Sequence, residues 1–285
     1  MFWKVDTTDI VDARYDERVV CFLDILGFRE FIKKDKGQKS LNSVRDLLLN
    51  IRPGTLCQEE PVGEDISQNL AEKYGALVVQ FSDCIFISMK EVSYDSLDWL
   101  YSLILNVTSN MIESGMMCRG AITIGDIYHK SKNRSLLFGP AVIDAYEMES
   151  KCAIFPRVIV AKVLEQRQSN LRSRSNRTKD RRSLSAKYLS RDSDDFLYVD
   201  YFQKLYDFKR FPKLTRRHLQ HVREHIVTQL EKVESQSVEQ KMNWAKRKYN
   251  NYLKKKIIKY IDAPDNTDDT MLKMVKKELY KLESI

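Results

Sequence analysis

The strongest constraint on this chain is Val19-Val20-Cys21-Phe22-Leu23-Asp24, five apolar residues that run straight into a carboxylate. The apolar run reads as a buried strand over residues 19–24. Gly27 and a helix-like run from Phe28 follow at once. An isolated ionised carboxylate is very costly to bury, so Asp24 needs a partner. Either it caps the following helix, for which Asp is well suited, or it holds a ligand. A second stretch, Ala76 to Ser88 (ALVVQFSDCIFIS), sets Asp83 between two apolar runs and predicts a tight strand–turn–strand. Asp83 alone could be no more than a turn residue. If the two strands are neighbours, Asp24 and Asp83 meet at one edge of a sheet and form a hard, oxygen-rich site for Mg²⁺ or Mn²⁺.

The rest of the pattern predicts an α/β sandwich. After a polar lead-in over residues 1–18, a helix runs from Gly27-Phe28 to about Lys36. A second fits Leu41 to Ile51, where Leu41, Val44, Leu47, Leu48 and Ile51 recur at helical spacing. Ser93 to Ser114 is a strong helix closed by Gly115. Met117 to Tyr128 and Leu136 to Phe138 are strands, and Gly139-Pro140 opens a helix to about Cys152. Arg157 to Ala161 and Phe196 to Phe202 are further strands, and helices follow from Thr215. The order β-α-α-β-β-α-β-β-α-β-β places a mixed sheet under crossover helices. The expected division is a domain over 19–202 and a helical extension over 203–285.

Charge and cysteine content exclude several classes. The chain carries a net +8. Residues 165–191 hold nine lysines and arginines against Glu165 and Asp180, a local +7. The basic character therefore belongs to one low-complexity segment, expected to be a flexible insertion, rather than to a nucleic-acid groove spread over several elements. The five cysteines are scattered and odd in number, as expected for thiols in a reducing cytoplasm rather than a disulfide framework. No apolar run is long enough to span a membrane.

The motifs FLDILGF, FSDCIFIS, CRGAITIG, FGPAVIDAYEMESKCAIFPRVIV and RDSDDFLYVDYF, with KMNWAKRKYNNY in the tail, resemble the class III nucleotidyl cyclases. As an ordered set they are most similar to the pyrimidine nucleotide cyclases of the bacterial Pycsar anti-phage system. The resemblance covers roughly residues 19–252. It implies that Asp24 and Asp83, with the Ile25 carbonyl, hold two Mn²⁺ or Mg²⁺ ions. It also implies that backbone N–H groups of Ile25, Leu26, Gly27 and Phe28 face a triphosphate. The activity implied is conversion of UTP, or alternatively CTP, to the 3′,5′-cyclic monophosphate. The partners implied are a second copy of the chain in a homodimer and a separate effector that responds to the cyclic product. Neither membrane nor nucleic acid is expected as a partner.

The chain also departs from the family's pattern. Residues that read a purine are replaced by Val79 or Gln80 and by Leu136, and the usual Asn–Arg pair aligns with Ile143 and Glu147. The loss leaves two readings, a pyrimidine cyclase with another cation at work or a non-catalytic nucleotide-binding module. Arg119 is the candidate cation, with Lys151 and Arg157 in reserve. Its plainer reading is an ion pair with Glu147 or Glu149. Gln80 and Ser82 are candidate substrate contacts. Tyr146 and Phe138 are candidate walls for a base, or ordinary core aromatics. His218, His221 and His225 share a helix face that reads better as a solvated basic surface than as a metal comb. Trp244 and Tyr249 are expected to anchor the tail by packing.

Overall fold

The computed structural model describes residues 14–34, 70–130, 136–174, 188–202, 212–233, 235–258 and 284–285. Its centre is strand β1, Asp16–Leu26, which starts earlier than expected and continues two residues past Asp24. Helix α1 (Phe28–Lys34) follows across Gly27, whose φ of 75° suits a residue without a Cβ. The hairpin of β2 (Ala76–Phe81) and β3 (Cys84–Met89) comes next, then α2 (Tyr94–Glu113). The long strand β4 (Met117–Lys130) and the short β5 (Leu136–Phe138) lead to α3 (Pro140–Cys152). Strand β6 (Val158–Val160), helix α4 (Lys162–Arg174), β7 (Leu189–Arg191) and β8 (Leu197–Val199) complete the sheet region. Helices α5 (Pro212–Glu231) and α6 (Gln236–Tyr252) follow, and a π-helical turn extends α6 over Leu253–Ile258.

The strands form one mixed sheet in the order β2-β3-β1-β4-β6-β8-β7, with β5 paired to β4. β1 lies antiparallel to both β3 and β4, whereas β4 and β6 are parallel. The α/β sandwich with a mixed sheet is therefore the architecture of the described residues. Two elements go beyond the expected order, α4 and β7. β7 and most of α4 fall in the basic segment 165–191, where Gln168 and Leu189 are buried, and Leu164 is buried just before it. The helix expected over 41–51 lies outside the described residues.

Strand periodicity divides β1 between two layers. Val19, Cys21, Leu23 and Ile25 face a large core with Leu97, Leu100, Ile104 and Met111 of α2, and the same core takes in Leu219 and Ile226 of α5 and Trp244 and Tyr249 of α6. Val20 and Phe22 face the other way, against Ala141 and Ala145 of α3. Close approach of the strands depends on Gly120, where a Cβ would stand 2.3 Å from the Phe22 carbonyl oxygen. α2 is held at its start by a reciprocal cap: the Ser96 N–H donates to Ser93 Oγ at 3.2 Å and the Ser93 N–H to Ser96 Oγ at 2.9 Å.

The tail helices dock through a charged cluster wrapped in aromatic rings. Arg157 is fully buried and ion-pairs with Asp192 and Asp194. Trp244 Nε1 and Lys248 Nζ each donate to Asp192 at 2.7 Å. Burial pushes the Asp192 carboxyl up, but hydrogen bonds from Lys248, Ser193 and Trp244 outweigh it and hold the group at about 2. The Trp244 ring stacks on Phe155 at 5.5 Å and meets Tyr198 edge-on. Trp244 thus anchors the tail to the sheet. His218 corrects the expected solvated face: it is buried, lies 2.9 Å from the Tyr201 carbonyl oxygen, and is pushed by burial to about 4. Its helix turns that face toward α2, where Ser109 Oγ sits 3.2 Å from its Nδ1.

Removing one member of a buried ion cluster costs roughly 3–5 kcal/mol, because the partners stay buried and lose their counter-charge. Arg157→Leu should lower stability by an amount in that range in urea unfolding. A loss below about 1 kcal/mol, the size of an exposed pair, would remove Arg157 from the determinants of the fold.

Candidate metal centre

Pairing register brings the candidate residues together. Asp24 stands directly opposite Cys84 on β3 and directly opposite Arg119 on β4. Residues paired in this way share a face of the sheet, and here it is the α3 face, two residues along from Phe22. Asp83 occupies the two-residue turn that joins β2 to β3, beside Ser82 at a φ of 57°. The Asp83 carbonyl accepts a hydrogen bond from the Ile25 N–H at 3.1 Å, which ties the turn to the end of β1. Donor atoms of Asp24, Asp83 and Cys84 all lie within 4.8 Å of one another, and all three residues are half-buried.

The charges around this cluster are arranged in layers. Arg119 Nε donates to Asp24 Oδ2 at 3.2 Å and also makes a closer ion pair with Glu149 of α3. Glu149 is 2% exposed, and its Oε1 accepts no well-aligned hydrogen bond despite touching Arg119. Burial pushes the Glu149 carboxyl up to about 7; Arg119 opposes this and Asp24 adds to it. Cys84 is pushed up to about 11, first by burial and then by Asp24, Asp83 and Glu149. Lys241 of α6 feels Arg119, Asp24 and Glu149, and its burial lowers its pKa. Helical phase supports that placement: Lys241 is one turn before Trp244 and two before Lys248, both of which contact the sheet region.

The donor set fits a hard divalent ion. Two carboxylates at a sheet edge, open enough to be half-buried and flanked by one guanidinium, offer oxygen ligands in the number that Mg²⁺ or Mn²⁺ takes from protein. Tyr146 is 54% exposed on the same side, its ring centroid 5.7 Å from that of Phe22, which in turn stacks on Phe86 at 4.6 Å. These rings form an apolar wall beside Asp24.

The remaining candidate residues divide between the end of β1, the hairpin and the elements from β5 to β6. The Ile25 N–H is spent on Asp83 and does not face a ligand. Leu26 ends β1, Gly27 turns the chain and Phe28 opens α1, so these residues do stand at a helix start. Gln80 pairs with Ile85, so the pleat sends it to the face away from Asp24. Ser82 is exposed at the hairpin tip. Lys151 is occupied by Glu147 at 2.8 Å, and Arg157 belongs to the buried tail cluster. Phe138 stacks on Tyr128 at 5.0 Å and meets Tyr15 rather than Tyr146. Arg119 makes the ion pair with Glu149 that its plainer reading expects, and it also stands beside Asp24. Glu149 was legible only as that partner. Lys241 carries no sequence signal beyond its place in KMNWAKRKYNNY.

No family model matches the chain, and no curated protein matches it. Solved structures with some likeness include the monomeric guanylyl cyclase domain of the RhoGC fusion protein from the aquatic fungus Blastocladiella emersonii. It is 15% identical, covers 65% of this chain and 94% of its own, and has a TM-score of 0.43. A class III adenylyl cyclase-like ATP-binding protein from Pseudomonas aeruginosa is 14% identical, with 57% of this chain matched to 37% of that one at a TM-score of 0.38. The guanylyl cyclase Cya2 is 12% identical over 66% of this chain and 93% of its own, also at 0.38. At identities and TM-scores this low the likenesses carry no weight for fold or chemistry.

The raised Glu149 carboxyl has a consequence for stability. A group that ionises less readily folded than unfolded favours the folded state at low pH, and that contribution fades as pH rises toward the folded value. Between about pH 4.5 and about 7 the wild-type chain should lose stability relative to Glu149→Gln. Thermal unfolding of both proteins across that range reads the difference. A difference that stays constant with pH would place the Glu149 carboxyl in an ordinary environment.

Proposed function

We propose that the chain is a nucleotide cyclase that converts UTP to 3′,5′-cyclic UMP and pyrophosphate, with CTP as the alternative substrate. The observation that carries this reading is the convergence of Asp24 and Asp83, from β1 and the β2–β3 turn, beside Arg119. The reaction joins the ribose 3′-oxygen to the α-phosphorus, breaks the bond from that phosphorus to the β-phosphate bridge oxygen, and releases the 3′-hydroxyl proton to solvent. Divalent ions held by Asp24, Asp83 and the Ile25 carbonyl would supply acidification of that hydroxyl and neutralisation of the departing pyrophosphate.

This chain's own groups would do the remaining work. Arg119, anchored by Glu149 on its far side, is the cation available to the charge that builds at the α-phosphate. Tyr146 and Phe22 offer an apolar surface for a base. The pyrimidine preference rests on the sequence: Val79, Gln80 and Leu136 stand where purine-reading residues are expected, and none carries a charge. In this reading the catalytic unit spans 19–202, the extension 203–285 buttresses it, and a homodimer places each site against a second copy. The cyclic product would signal to a separate effector.

The competing reading, a non-catalytic nucleotide-binding module, draws on Ile143 and Glu147, both exposed on α3 where the family's Asn–Arg pair is expected. Incubation of the full chain with Mn²⁺ and each of the four ribonucleoside triphosphates, with products identified by mass, separates the two. Cyclic UMP is expected. Cyclic CMP would change the base, a cyclic purine would overturn the pyrimidine preference, and no product from a folded chain would favour the binding module. Asp24→Ala and Asp83→Ala should each abolish turnover while retaining the wild-type circular dichroism spectrum.

A further inference from the structure

Cys84 has no task in the reaction just described, yet it stands at the centre of the cluster. It lies directly across from Asp24 in the β1–β3 register, carries no disulfide, and has its sulfur within 4.8 Å of carboxylate oxygens of both Asp24 and Asp83. A divalent ion bonds oxygen at about 2.0–2.2 Å and thiolate sulfur at about 2.3 Å, so three such ligands close around one ion after a movement of roughly 1 Å or less. A second observation points the same way. Glu149, 2% exposed on α3, ion-pairs through Oε1 with Arg119, the same guanidinium that donates to Asp24, so a further buried carboxylate stands behind the cluster. The side of this cluster toward α3 thus carries more carboxylate than the single Arg119 guanidinium balances.

We infer that Cys84 is a third ligand at the Asp24–Asp83 centre and makes it a site for thiophilic divalent ions, Zn²⁺ and Cd²⁺, that exclude the hard ion the reaction uses. The inference rests on the reading of Asp24 and Asp83 as metal ligands. Two carboxylates alone hold Mg²⁺ and Mn²⁺, whereas a thiolate selects zinc-group ions strongly over magnesium. On binding, the Cys84 S–H bond breaks, a sulfur–metal bond forms, and the proton passes to the buffer. A tetrahedral ion gripped by sulfur has fewer positions open to phosphate oxygens than an octahedral one. Zinc is therefore an inhibitor here, acting through a residue that the reaction does not need.

The probe is Cd²⁺ alone, added to the purified full chain, with the ultraviolet sulfur-to-cadmium charge-transfer band as readout. One ion per chain should give a band that is lost in Cys84→Ser and kept in Cys152→Ser. Loss even of a group that merely orients a ligand weakens metal sites roughly 10–100-fold, so Asp24→Asn and Asp83→Asn should each weaken Cd²⁺ binding by at least about tenfold. A band that survives Cys84→Ser overturns the inference. So does an affinity unchanged in both aspartate variants, since the thiol would then bind by itself. The two readings fail separately. A chain that cyclises no triphosphate but shows a band dependent on Cys84 and the aspartates keeps the thiophilic site. A working cyclase without that band loses it.

Discussion

A carboxylate on the central strand of a sheet is stable only when opposite charge stands close by, and for Asp24 that charge is Arg119. The pairing is set by register: β1 and β4 run antiparallel over eleven residue pairs, and Gly120, next to Arg119, lets the strands approach closely. A slip of one residue would turn Asp24 into the α2 core and Leu23 toward α3. The apolar alternation of β1, which forbids that slip, therefore also holds the charged residues in place. The site follows from how the core packs.

Two charged clusters in the molecule show how differently buried ions can be used. Around Arg157 the charges are balanced by two carboxylates, beside a lysine, an indole N–H and several aromatic faces, although Arg157 Nε has no hydrogen-bond partner. Such a cluster, with acids and bases matched, serves to fasten α6 to the sheet. Around Asp24 the balance is incomplete. Three carboxylates and a thiol face Arg119 and, from α6, Lys241, and a Glu149 oxygen is left without an aligned donor. A half-satisfied polar network is costly for a fold that does not use it. The excess of negative ligands is the physical reason to read this cluster as a place where cations bind.

The likeness of the two networks in composition hides a difference in position. The Arg157 cluster is covered by the tail helix, whereas the Asp24 cluster sits near a strand end beside a hairpin turn and is half-buried. Tyr146 and Phe22 add an apolar wall beside it. Charged ligands, an anchored guanidinium and an aromatic surface are thus gathered within one layer, between β1 and α3.

Much of this was legible in the chain itself. The apolar run that breaks on Asp24, its echo around Asp83, the capped helix from Ser93 and the Gly139-Pro140 helix start all act over a few residues, so local patterning revealed them. The hairpin and the strand after it were readable for the same reason. The roles of Glu149 and Lys241, the burial of His218, the folded ends of the basic segment and the turning of Gln80 to the far face were not. Each depends on contacts between residues far apart in the chain, or on which side of the sheet a pleat presents. Hydrophobic period and turn chemistry are local, so most elements and the two carboxylates could be read from the residues alone. Which charges those carboxylates meet follows from register and helix packing, which bring Arg119, Glu149, Cys84 and Lys241 to one place.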